Sequence, residues 1–251
     1  MTIFQDPLAL AVIFGALALG FTVKGATGAG SPVVVVPVVA ALYDVRLGVA
    51  IMAVLNVLSN LAQVWQFRAE MIDRKFTWTL VIGAAAGTIV GTFLLAWLPE
   101  RALSLLIAAA VIFYISLRLL SPSFKLEKER AFSIAWPVSL VGGVMQGATG
   151  ISAPITVSFL NAMRLARPAF VFTVSAFFAG MAVVQVPMLW AFGILTWESL
   201  LVALLGIVPM TIFMAVGQNL AKRLSPEAFD RVILILLAVL AVRLIYAAIF
   251  S

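Results

Sequence analysis

Apolar residues along the chain gather into eight blocks, separated by charges and prolines, at roughly 8–42, 47–67, 77–97, 102–120, 133–163, 168–192, 199–219 and 232–250. One helical bilayer crossing takes about 20 such residues, the length of every block except the first and the fifth. Those two run to 35 and 31 residues. Each is interrupted by a glycine-rich stretch leading to a proline, KGATGAGSP over residues 24–32 and QGATGISAP over residues 146–154. The pattern predicts an all-α polytopic membrane protein in which both long blocks are broken segments.

The breaks also mark a duplication. Gly25, Ala26, Thr27, Gly28 and Pro32 match Gly147, Ala148, Thr149, Gly150 and Pro154. Leu98-Pro99-Glu100 corresponds to Ser225-Pro226-Glu227 ahead of each half's last block, and Arg46 corresponds to Arg167. Three matches in one order favour a repeat over chance. Two repeats follow, 1–120 and 133–251, each a Gly/Pro-broken first segment and three further crossings. Residues 121–132, rich in alternating charges, read as a solvated cytoplasmic linker with no catalytic role.

Charge fixes the orientation. If each long block crosses an even number of times, as a re-entrant hairpin or a helix pair, twelve basic residues face one side. They are Arg68, Arg74 and Lys75; Arg118, Lys125, Lys128 and Arg130; Arg164 and Arg167; and Lys222, Arg223 and Arg231. Arg46, Arg101 and Arg243 are left for the other side. If block five crossed once, the asymmetry would vanish. The positive-inside rule selects the even count and puts both termini outside the cytoplasm. Each half then crosses an odd number of times, so the two repeats have inverted topology, as in many secondary transporters.

A glycine costs about 1 kcal/mol relative to alanine inside a helix, and proline removes a donor. An unwound stretch at membrane depth must be buried in protein or line a wet cavity. Pro32 and Pro154 suit the first turns of new helices, whose amino ends carry free amides and positive dipole ends, a ready anion site. Gly25, Gly28, Gly30, Gly147 and Gly150 would let backbone approach a ligand, and Thr27, Ser31, Thr149 and Ser152 would add hydroxyls. The alternative is that these glycines serve helix packing, as Gly83, Gly87 and Gly91 do by their spacing of four.

Lys24 is the one basic residue deep in an apolar block, and Gln146 is its counterpart. A lysine at mid-membrane costs at least about 2.5 kcal/mol and needs a partner or a pathway. No Asp or Glu lies at that depth, which leaves an anionic substrate, freed carbonyls, or snorkelling to an interface. Block two adds a polar face of Asn56, Ser59, Asn60 and Gln63, which either glues helices together or lines a cavity.

Composition removes other chemistries. The chain is 64% hydrophobic and 10% charged, against about 25% charged in soluble domains. Cys and His are both absent, which excludes thiolate and imidazole metal sites and Cys or His catalysis. No cofactor or metal is implied, and no enzyme activity is expected. The net charge of +6 resides mainly in loops and gives no basic patch for nucleic acid. The partners expected are the lipid bilayer and a small anion, while self-association into a homo-oligomer stays open.

Taken together, the two halves, the charged central loop and the motifs Gly25 to Pro32 (with Pro37 beyond) and Gly147 to Pro154 resemble the TauE/SafE family of bacterial sulfite exporters over essentially the full chain. The first motif departs from the family's consecutive glycines. The resemblance implies a multi-pass protein of the bacterial inner membrane that carries sulfite or a related sulfur-containing or organosulfonate anion. It leaves open a non-sulfur organic anion. On the residues themselves, a secondary carrier working by alternating access is the leading reading and an anion channel the alternative. In that reading Lys24 and the helix ends hold the anionic head, with Asn56, Asn60, Gln63 and Gln146 around it.

Overall fold

A computed structural model describes residues 5–120 and 125–220. The eighth apolar block, the Ser225-Pro226-Glu227 correspondence and the basic residues Lys222, Arg223, Arg231 and Arg243 lie outside the described residues. Ten α-helices follow in order: α1 Pro7–Thr27, α2 Ser31–Leu42, α3 Val45–Gln66, α4 Arg74–Trp97, α5 Glu100–Leu120, α6 Lys128–Thr149, α7 Ala153–Ala162, α8 Arg167–Ala191, α9 Trp197–Leu205 and α10 Ile207–Leu220. There is no strand among the described residues. Among the described residues six runs are long and apolar enough to cross a membrane, the pair α9–α10 counting as one.

Each long block resolves into one full-length helix and one short one. α1 has 21 residues and α2 has 12; α6 has 22 and α7 has 10. At 1.5 Å per residue the short helices are about 18 and 15 Å long, too short to span. α2 turns back along α1, with Ser31 and Val35 both lying against Gly20. α6 starts at Lys128, five residues before the apolar run, because Lys128, Glu129 and Arg130 form its solvated first turn. The seventh block breaks between α9 and α10, where Pro209 has no amide hydrogen to give Leu205; the flanking bonds Gly206 N to Val202 O and Met210 N to Gly206 O are intact.

Three aspartates ahead of helix starts serve as caps. The side chains of Asp6, Asp44 and Asp73 accept from Ala9, Leu47 and Phe76 amides at 3.0, 2.7 and 2.6 Å, satisfying donors that the helix cannot. Tryptophans 65, 78, 97, 190 and 197 are exposed near helix ends, as interface anchors are, and Trp136 is exposed two turns into α6.

Packing crosses the two halves reciprocally. α4 lies along α6 and α1 along α10. Glycines permit both contacts: an added Cβ on Gly87 would collide with Leu140 O, on Gly143 with Ala84 O, on Gly25 with Met214 O and on Gly217 with Thr22 O. Gly28 faces Val171, and Gly150 faces Val49. Adding 122 to Gly28 and Val49 gives Gly150 and Val171, so one contact is the other with the halves exchanged. The apolar interior forms two clusters. One joins α1, α2, α3, α9 and α10 with parts of α5 and reaches Leu95 of α4, Ala153 of α7 and Leu189 of α8. The other joins Phe76, Leu80 and Ala84 of α4 with α6, α7 and α8.

Candidate functional site

Both breaks are built the same way. α1 ends on Gly28 with φ 88° and α6 on Gly150 with φ 71°, a left-handed conformation that glycine adopts without steric cost. Their amides close on Lys24 O and Gln146 O, each at 2.7 Å. Thr27 Oγ1 donates within reach of Val23 O at 2.9 Å and Ala29 O at 2.7 Å. Thr149 Oγ1 does the same with Met145 O at 2.8 Å and Ile151 O at 3.3 Å. The threonines thus staple each break to its own backbone. A second left-handed glycine, Gly30 at φ 102°, precedes α2, and Pro32 and Pro154 each sit within the first two positions of the following helix.

The motif residues divide by position. Gly25 and Gly147, the first glycine of each break, lie at the close helix contacts just described, Gly147 against Thr88 and Thr92. Ser31, at the amino end of α2, is fully buried, and its hydroxyl has no hydrogen-bond partner. Ser152, at the entry to α7, donates to Gln146 Oε1 at 3.1 Å. The two breaks keep separate local networks.

Lys24 is 2% exposed, so it does not snorkel to an interface. Its ammonium donates to Asn60 Oδ1 at 2.6 Å, and Asn60 Nδ2 in turn donates to Asn56 O at 2.8 Å. Asn56, Ser59, Asn60 and Gln63 are all buried on α3. An ammonium has three donor hydrogens, and a neutral amide oxygen supplies no countercharge. Among the described residues no carboxylate pairs with Lys24.

Two side chains outside α3 and the motifs hydrogen-bond to these residues. Ser175 of α8 donates to Gln63 Oε1 at 3.0 Å. Gln185, also on α8, directs Nε2 at Gln146 O and Gly147 O, at 3.4 and 3.3 Å, and its Oε1 is buried without a donor. Gln185 stands out in sequence as a lone amide in an apolar block. Ser175 carries no such signal, since small hydroxyl residues are common in membrane helices.

No cluster among the described residues has the His, Cys, Asp or Glu content to hold a metal ion. Lys24 brings a buried ammonium to Asn60, while the two breaks present the amino ends of α2 and α7, and either kind of group can receive an anion. No curated protein and no solved structure matches the chain. The family model for sulfite exporter TauE/SafE matches residues 12–244. With that match over nearly its whole length, the chain belongs to the sulfite exporter TauE/SafE family of membrane transporters.

Proposed function

We propose that the chain is a secondary carrier of a small anion, sulfite or a related sulfur-containing anion, working by alternating access of two inverted repeats in the bacterial inner membrane. The observation that carries this reading is Lys24: a buried ammonium whose hydrogen-bond partner among the described residues is the neutral Asn60. Burying an unpaired cation is costly, and an anion bound beside it supplies the missing charge. Ser31, with its free buried hydroxyl, and the amino ends of α2 and α7 extend the same preference. Asn56, Asn60, Gln63 and Gln146 shape the rest of the pocket.

Helix directions support the inversion. Leu17 and Leu55 both touch the site of Gly206, and Lys24 meets Asn60, so α1 and α3 run parallel. The short connection 67–73 returns the chain, so α4 runs opposite to both. Gly83 lies against Ser139, Gly87 against Leu140 and Gly91 against Val144, so α6 runs parallel to α4 and opposite to α1. With the basic loops inside, both termini lie outside the cytoplasm.

Sulfite flux into proteoliposomes, with thiosulfate, sulfoacetate and acetate as competitors, tests the reading. A carrier gives saturable flux stimulated by the same anion on the far side. Non-saturating flux without counterflow would make the protein a channel. Inhibition by acetate alone would move the cargo to a non-sulfur organic anion.

A further inference from the structure

Gln185 is fully buried on α8, and the two polar atoms of its amide fare differently. Nε2 donates to Gln146 O at 3.4 Å and to Gly147 O at 3.3 Å, while Oε1, also buried, has no donor. A buried acceptor left unpaired is costly. Turning the amide over would set Oε1 against two carbonyl oxygens, which is favourable only with a positive charge between them.

The equivalent glutamine of the first half has no such deficit. Shifting Gln185 back by 122 positions gives Gln63, whose Oε1 accepts from Ser175 at 3.0 Å. The same shift applied to Ser175 gives Ala53, which has no hydroxyl. Lys24 has Gln146 as its counterpart, so the second half also lacks a built-in ammonium.

The surroundings of Gln185 are rich in oxygen and free of fixed charge. Gln146 O and Gly147 O belong to the last turn of α6, the negative end of its dipole. Gln146 Oε1 lies in the same break and accepts from Ser152 at 3.1 Å. No charged residue occurs in 76–99, 131–163 or 168–197, which hold α7 and nearly all of α4, α6 and α8. An anion would face acceptors there, and a divalent cation would find no carboxylate to neutralise it. A monovalent cation fits both conditions, and carbonyl ends of helices coordinate Na+ in secondary transporters.

We propose that the carboxyl end of α6 is a sodium-ion site, with Gln146 O, Gly147 O and a turned Gln185 Oε1 as its protein ligands and water filling the rest of the shell. Without the ion, Gln185 Nε2 lies on the two carbonyls in its place. Binding exchanges that donor for the ion and brings Oε1 in as a ligand, so the unpaired acceptor is satisfied. The site is distinct from the Lys24–Asn60 pair and rests on no particular cargo or transport mechanism.

Thermal unfolding of the full chain in detergent tests this, with NaCl replacing choline chloride at constant chloride and no sulfite present. Wild type should gain about 3–6 °C for each tenfold rise in Na+ above the binding midpoint. Gln185→Met should lose that gain, whereas Gln63→Met, the same change in the other half, should keep it. Gln185→Glu retains the oxygen and adds a charge, so at mildly alkaline pH its Na+ midpoint should fall about tenfold or more; this variant decides the matter if Gln185→Met does not fold. No Na+-dependent shift in wild type would overturn the site and leave Oε1 to water. A shift that survives Gln185→Met, or an unchanged midpoint in Gln185→Glu, would overturn it as well. The assay contains no sulfite, so sulfite flux without Na+ stabilisation would remove the ion site alone, and Na+ stabilisation without sulfite flux would remove the cargo alone.

Discussion

The Lys24 ammonium meets Asn60 Oδ1 at 2.6 Å in the buried interior, and the pair is unequal: a full charge faces a neutral dipole. Asn60→Ala strands the ammonium and should destabilise the anion-free protein by about 1.5–3 kcal/mol, the range for hydrogen bonds to charged groups. Saturating sulfite should restore part of that loss, because a ligand that binds only the folded state stabilises it. Asn60→Asp should do the reverse, holding the fold but raising the KM for sulfite about tenfold or more, since an internal carboxylate competes for the cation. Thermal unfolding with and without sulfite, and flux kinetics, measure both.

The glycine seam between α4 and α6 predicts a contrast in stability. A Cβ on Gly87 meets the backbone of Leu140 and Val144, which cannot move aside cheaply, so Gly87→Ala should cost about 1–3 kcal/mol. Gly15, exposed on α1 with nothing near its Cβ position, should tolerate alanine and gain up to about 1 kcal/mol in helix propensity. Thermal unfolding in detergent separates the two.

At the breaks the constraint is conformational. Gly28→Ala must hold an L-residue at φ 88° and fit a methyl group 3.0 Å from Val171 Cγ2. About 1–2 kcal/mol of backbone cost is expected, with a fall in flux larger than the stability loss alone explains. Equal flux per folded protein would show that the break geometry does not serve the site.

Orientation is checked by labelling in intact cells. Single cysteines at Arg46 and Arg101 should react with an impermeant reagent from outside, and cysteines at Arg68 and Arg164 only after the membrane is opened. Reaction of Arg68 and Arg101 variants from the same side would refute the crossing count.

Much of this architecture is legible in the sequence because glycine and proline act locally. The breaks at 24–32 and 146–154 stop helices wherever they stand, and the spacing of Gly83, Gly87 and Gly91 forces a flat helix face. The partner of that face is not legible, since α6 is reached only through tertiary packing across the halves. Gly25 and Gly147 show the same limit: they belong to the motif, yet they stand where α10 and α4 press closest. Lys24 is conspicuous as a charge in an apolar run, and its partner Asn60 falls on the polar face of α3. Ser175 is invisible until α8 is set against α3, because a serine among apolar residues has no pattern of its own.

The most direct measurement is saturable sulfite flux in proteoliposomes of wild type against Lys24→Ala, with the folded fraction of each determined by size-exclusion and thermal unfolding. If the buried ammonium holds the anion, the variant remains folded and loses about a hundredfold or more in kcat/KM, the loss of about 2.7 kcal/mol expected on removing a charged partner. Undiminished flux through folded Lys24→Ala protein would contradict it.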